Sequence, residues 1–136
     1  MTDPRRVVLD ASALLAWVFK ESGAAVIDRI LPVGVAPASV MVETLYRAVE
    51  KGHRLSSDQL HEALLEMGLH VESITDEDTV RAAELITASR RSPATSSLSL
   101  GDGLCLAVAE RLQLPITGGD QHWETLELTV EYVPFR

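Results

Sequence analysis

The chain has 136 residues, 46% of them hydrophobic, 24% charged, and a formal net charge of −8. That is enough apolar chain to bury a core and too much for global disorder, so one domain spanning residues 1–136 is expected. The acidic balance counts against general phosphate binding, which needs clustered Lys and Arg, unless the acids are gathered around a metal ion.

Residues 6–10 are short and almost wholly apolar, as a strand buried on both faces is. Helical pieces follow at 12–18 and 22–31, broken near Ser22-Gly23, and residues 33–37 ("VGVAP") form a second strand. A helix capped by Ser39 runs to about Lys51, with Gly52 just past its end. The next helix opens at Ser56, with Gln59 at capping-box spacing, and sets Leu60, Leu64 and Met67 on one face. "LHVESI" is the third strand, and Thr75 caps a helix over about 76–90. "RRSPATSSLS" is the one loop-like stretch. From near Ser99 a helix is apolar almost all round, and such a helix is buried. "LPITGGD" is the fourth strand with its exit, and "LTVEYVPF" the last strand. Strands alternating with helices predict an α/β fold, with a mainly parallel central sheet and helices on both faces. The apolar helices within 12–31 and 39–69 would serve as core or as partner surface.

In such sheets ligands bind beyond the carboxyl ends of the strands, where the helix N-termini also lie. Four acids fall at that edge. Asp10 ends the first strand, between Leu9 and the apolar run from Ala13 to Trp17. Asp120 follows the fourth strand in "ITGGD". Glu43 lies near the start of the helix after strand two, and Asp102 in the first turn of the buried helix. Each has a plain structural reading: a turn with Ser12 for Asp10, a dipole-favoured carboxylate for Glu43, a cap with Ser99 for Asp102, and a turn for Asp120. Together they would repel one another, and a divalent hard cation such as Mg²⁺ or Mn²⁺ relieves that. The other possible ligands do not compete. Cys105 stands alone, so neither a disulfide framework nor a CxxC zinc pair exists, and His53, His61, His70 and His122 show no HExxH spacing. No run approaches a membrane span of about 20 apolar residues. "MTDPRR" has no signal-peptide core, so a cytoplasmic protein without membrane contact is expected. Phosphates of a substrate would need cations, and Arg5, Arg6, Arg47, Arg90 and Arg91 are the candidates, with the 90–98 loop beside the groove.

The pieces "VLDASALLAW", "APASVMVETL", "LSLGDGLCLAVAERL" and "LPITGGDQHW", in this order and spacing, resemble the PIN-domain family. Within it they are most similar to the VapC-type toxin ribonucleases of toxin–antitoxin operons. The resemblance implies a PIN-like α/β/α sandwich. It implies that Asp10, Glu43, Asp102 and Asp120 bind Mg²⁺ or Mn²⁺ and cleave single-stranded RNA, with Ser12 supporting the site. It also implies a homodimer, and a cognate antitoxin that joins it in a heterotetramer or larger assembly and blocks the active site with its tail. The family usually has Thr or Ser two residues before the last acid. Gly118 stands there, and Thr117, one residue earlier, is the nearest hydroxyl and the candidate second support.

Two other readings use the same residues. A haloacid-dehalogenase-type phosphatase also starts with a strand ending in Asp, but it needs an acid where Ser12 stands. A PIN-like binding module would act through its partner without turnover, which suits the acidic charge and Gly118.

Overall fold

The computed structural model describes residues 6–91 and 97–136. Five short strands form one sheet: β1 (Val7–Leu9), β2 (Gly34–Pro37), β3 (His70–Glu72), β4 (Ile116–Gly118) and β5 (Tyr132–Pro134). Their order is β3-β2-β1-β4-β5, and every pairing is parallel. Six helices flank the sheet: α1 (Ala11–Val18), α2 (Ala24–Ile30), α3 (Ala38–Glu50), α4 (Ser57–Glu66), α5 (Asp76–Arg91) and α6 (Leu100–Leu112). This is the α/β architecture expected from the alternation.

The local chemistry explains where most elements start and stop. Val8 and Leu9, fully buried, carry the central strand. The break between α1 and α2 falls at Lys20 and Gly23, both with positive φ. A side chain at Gly23 would collide with the Phe135 ring, so glycine is needed there for packing as well as for the turn. The Ser56–Gln59 and Ser99–Asp102 capping boxes form as expected, each with both hydrogen bonds. Thr75 and Asp78 exchange the same pair of bonds at the start of α5. Gly52 takes the left-handed conformation after α3, with φ +82°.

Ser39 is not the cap of α3. The helix begins two residues earlier, at Ala38, and Pro37 occupies the cap without a side-chain hydrogen bond. Proline fixes φ near the value needed to turn from strand into helix. The Ser39 hydroxyl is thereby carried inside the first turn, where it is buried without a partner. Most strands are shorter than expected, although flanking residues still pair: the Asp10 N–H donates to the Thr117 carbonyl and the Phe135 N–H to the Gly118 carbonyl. Residues 92–96 of the "RRSPATSSLS" stretch, and Arg5, lie outside the described residues.

The chain runs outward from β1 through β2 to β3. It then crosses α5 and α6 to return on the other side of β1 as β4. The connections from β1 and β4 therefore leave in opposite directions, opening a crevice at the carboxyl edge between them. Leu106, Val108 and Ala109 of α6 are completely buried. The low-polarity α6 is thus an inner helix whose N-terminus is fixed at that crevice.

Candidate active site

One cavity of about 540 Å³ lies at this edge, lined by Asp10, Glu43, Asp102 and Asp120 together. The four expected acids, from four separate parts of the chain, share a single concavity. Asp10 leaves β1 and caps α1: its Oδ1 accepts from the Ala13 N–H at 3.0 Å and from the Ser12 hydroxyl at 2.7 Å. Asp102 stands in the first turn of α6, with Oδ2 accepting from the Ser99 N–H at 3.3 Å. Asp120 Oδ1 accepts from the His122 N–H at 2.9 Å. Its own carbonyl accepts from the Tyr132 hydroxyl at 2.8 Å, tying the turn after β4 to β5. Glu43 lies beyond the first turn of α3, so dipole compensation does not explain its position. Its Oε2 faces Arg47 Nε at 3.2 Å.

Three of the acids therefore do the plain structural job foreseen for them, each with one carboxylate oxygen. The other oxygen is left over. Asp10 Oδ2, Asp102 Oδ1, Asp120 Oδ2 and Glu43 Oε1 accept no hydrogen bond from the described residues. Capping and ligation are not rival uses of one side chain here, because each carboxylate divides the two between its oxygens.

Asp10 carries the electrostatic cost. It is 7% exposed, and its carboxyl pKa is raised from 3.8 to about 6. Burial is the main cause, and the charges of Asp102 and Glu43 add to it, while the Ser12 and Ala13 hydrogen bonds pull the other way. Cys105 lies at the buried base of the cavity, its thiol pushed well up by burial and by the same three acids. Five carboxylates, counting Glu21, and three cations, Arg47, Lys51 and Arg136, line the cavity, a formal charge of −2 with all ionised.

Ser12 is joined to Asp10 and to the β4 exit at once. Its hydroxyl donates to Asp10 and accepts from the Gly119 N–H at 2.9 Å, so one side chain links the exits of β1 and β4. Thr117 does not support the site. Its hydroxyl donates to the Val133 carbonyl on β5, and it is buried away from the cavity. Successive strand residues face opposite sides, and it is Gly118 that faces Asp10. A Cβ at Gly118 would lie 2.7 Å from Asp10 Oδ2, so the glycine is the space into which the Asp10 carboxylate fits. Gly101 has the same role toward Glu43, whose Oε1 would be 2.9 Å from a Cβ there.

Of the expected phosphate-binding cations among the described residues, only Arg47 lines the cavity, and Glu43 already engages it. Arg6 precedes β1 and so lies at the amino edge, and Arg90 and Arg91, at the end of α5, do not line the cavity. Glu21, Lys51 and Arg136 were missed. Lys51 was recoverable, since Glu43, Arg47 and Lys51 recur every four residues along one helical face.

Among the described residues, no group of three or more His, Cys, Asp or Glu side chains stands arranged to hold a metal ion. What favours a cation is the chemistry of the donors. Four hard oxygens are free in one cavity, one belongs to a buried acid burdened by its neighbours, and one divalent ion would neutralise the −2 lining.

Among the described residues no helix is long and apolar enough to cross a membrane. The fold is similar to that of a protein in a toxin–antitoxin complex from Klebsiella pneumoniae, with TM-score 0.74 and 14% identity over 96% of this chain and 98% of that one. It is similar to VapC20 of Mycobacterium tuberculosis, described as a sarcin-ricin loop cleaving toxin, with TM-score 0.71 and 16% identity over 90% and 96%. A chain of the DNA-bound VapBC from Salmonella typhimurium matches with TM-score 0.71 and 10% identity over 98% and 100%. No curated protein matches in sequence. The PIN domain family model matches residues 7–126, which takes in β1, all four acids and the turn after β4. The order of strands, the acids at their exits and this match agree: the chain belongs to the PIN domain family.

Proposed function

We propose that this protein is a divalent-metal-dependent endoribonuclease that cleaves single-stranded RNA as the toxin of a type II toxin–antitoxin pair. The observation that carries the reading is the set of four carboxylates at one sheet edge, each with an oxygen free of hydrogen bonds. Asp10, Glu43, Asp102 and Asp120 would hold Mg²⁺ or Mn²⁺. The described carboxylates do not already form a coordination shell, so binding requires side-chain movement toward the ion. When bound, such an ion supplies the charge that activates water at neutral pH and stabilises the departing oxygen of a phosphodiester.

The chain's own residues do the rest. Ser12 keeps Asp10 oriented, with its free oxygen turned toward Gly118. The Ser99 cap fixes Asp102 in the first turn of a helix whose middle is buried, so that carboxylate has little freedom to lose. Tyr132 and His122 hold the turn that carries Asp120. No side chain is needed as a covalent nucleophile.

An antitoxin partner and a homodimer belong to the same proposal. The similar structure from Klebsiella is part of a toxin–antitoxin complex, and the one from Salmonella is part of a DNA-bound VapBC. Val42, Tyr46 and Val49, spaced along one face of α3, are 64%, 46% and 48% exposed, an apolar stripe suited to a protein partner.

The test is incubation of purified protein with single-stranded RNA of mixed sequence, in Mg²⁺, in Mn²⁺ and in EDTA, beside Asp10→Asn and Asp102→Asn. Metal-dependent cleavage lost in both variants is the expected result. A binding module without turnover is the second reading, which suits the net charge of −8 and Gly118 at the position where the family usually has Thr or Ser. Absence of cleavage by folded protein that nonetheless binds metal would support that reading instead.

A further inference from the structure

We propose that Lys51 and Arg136 are the phosphate-binding arms of the acidic cavity, two pre-positioned cations that take backbone phosphates of the RNA strand. The inference rests on the nuclease reading for its substrate. The placement of the two cations is independent of it.

Most cations of the described chain are engaged elsewhere or do not line the cavity. Arg81 pairs with Glu110, and Arg111 with Asp78 and Glu72. Arg47 lines the cavity but is paired with Glu43. Lys51 and Arg136 also line it, and among the described residues neither has a carboxylate partner. Unpaired cations beside five carboxylates would ordinarily fold onto them. These two are held over aromatic rings instead. Lys51 Nζ sits 5.5 Å from the centre of the Phe19 ring, and the Arg136 guanidinium carbon 5.0 Å from that of Phe135. Phe135 is itself buried against the core, and Phe19 is backed edge-on by His53 at 5.6 Å. Ring contacts fix a cation without neutralising it, so its charge remains available and less side-chain freedom is lost on binding.

Position gives the second argument. β5 runs parallel to β4, so the residues after it arrive at the same carboxyl edge as Asp120. Arg136 then lies across the β4 exit, its Nη2 and Nε only 3.0 and 3.2 Å from where a Cβ at Gly119 would be. Gly119 is thus the gap that admits the guanidinium, one residue before the acid. Lys51 closes α3, two turns after Glu43 on the same helical face. The two arms therefore come from different elements and border the same set of acids. A guanidinium offers two parallel donors to phosphate oxygens, and an ammonium a point charge. They supply local attraction in a chain whose net charge of −8 would otherwise repel a polyanion.

The experiment measures binding of a labelled single-stranded RNA of mixed sequence over a salt series. The protein carries Asp10→Asn to prevent cleavage, and is compared with and without Arg136→Ala, Lys51→Ala, Arg136→Lys and Arg29→Ala. Each lost phosphate contact should weaken affinity about three- to tenfold and reduce the slope of log affinity against log salt by about 0.7. Arg136→Lys should restore the slope and part of the affinity. Arg29, exposed on α2 away from the cavity, should change neither. In cleavage by the otherwise unaltered protein, Arg136→Ala should raise KM with kcat little altered.

Unchanged slopes in both Arg136→Ala and Lys51→Ala overturn the proposal, as does an equal loss in Arg29→Ala. Cleavage with unchanged slopes would leave the nuclease reading standing and remove the arms. Slopes that fall as expected in a protein that never cleaves would leave the arms standing and remove the nuclease.

Discussion

Replacing Asp10 by Asn should stabilise the metal-free protein at neutral pH while abolishing its proposed chemistry. The Asp10 carboxyl has its pKa raised from 3.8 to about 6, chiefly by burial. A group that holds its proton more tightly when folded favours folding below its unfolded pKa. That advantage disappears as pH rises through the folded value. Between about pH 3.8 and 6 the native state binds more protons than the unfolded chain, so stability contributed by this residue falls as pH rises. The full difference, a little over two pKa units, is worth about 3 kcal/mol above pH 6. Asn carries no charge and keeps the oxygen that accepts from Ala13 and Ser12, and Asn caps a helix about as well as Asp. Its amide would point toward Gly118 in place of Oδ2, and an unpaired amide there recovers less than the whole amount. A gain of about 1–3 kcal/mol is therefore expected, or roughly 3–10 °C in Tm for a chain of this length. Thermal unfolding in EDTA at pH 7.5 and at pH 3.5, variant against wild type, measures it. The gain should be present at the higher pH and absent at the lower. Added Mg²⁺ should stabilise the wild type by about 2.7 kcal/mol at a hundred times its Kd, and the variant by much less. A loss of stability in EDTA at neutral pH, or the same difference at both pH values, would refute the electrostatic account.

Ser12→Ala removes a donor to Asp10 and an acceptor for Gly119, and should cost about 1–3 kcal/mol in denaturant unfolding and lower RNA cleavage. Gly118→Thr installs the residue usual in the family but places its Cβ within 2.7 Å of Asp10 Oδ2, so it should lower Tm and reduce metal affinity by titration calorimetry. A variant as stable and active as the wild type would show that Asp10 yields freely. Tyr132→Phe frees the Asp120 carbonyl, and should lower kcat at a stability cost of about 1 kcal/mol. Arg111→Ala strands Asp78, 2% exposed, and should cost about 3–5 kcal/mol by urea unfolding without moving the metal affinity. Burial alone would raise the Asp78 carboxyl, but hydrogen bonds from Arg111 and Thr75 hold it below its ordinary range. Its contribution is therefore present above pH 3.8 and fades as pH falls, the reverse of Asp10.

The fold was legible because its signals are local and repeated. Val7 to Leu9 reads as a buried strand, Ser56 with Gln59 as a helix start, and Ser99 with Asp102 as another. The site followed from a topological rule that needs only the order of strands and helices: acids at strand exits and helix starts share an edge. What escaped depended on distances between residues remote in sequence. Ser39 lost the cap to Pro37 because a fixed φ outweighs a side-chain acceptor at that junction. Gly118 looked like a missing hydroxyl, and its meaning appears only once Asp10 is seen filling the space. Thr117, the nearest hydroxyl, turns to the Val133 carbonyl, on the face that strand alternation gives it. Arg136 had no motif around it. Only the parallel pairing of β5 with β4 delivers it to the site.

The features around Asp10 fit together as one physical arrangement. A short central strand ends in a buried acid, which is unfavourable for the metal-free fold, and the neighbouring residues limit the penalty without removing it. Ser12 and the α1 N-terminus satisfy one oxygen. Gly118 gives the other oxygen room but no donor. A Ser or Thr at 118 that donated to Oδ2 would lower the Asp10 pKa further and would also occupy the oxygen that a cation needs. Leaving it bare keeps the carboxylate strained toward protonation and open to a ligand. On the proposed reading, the protein gives up roughly the stability that Asp10→Asn would recover, and a bound cation would make the ionised Asp10 favourable.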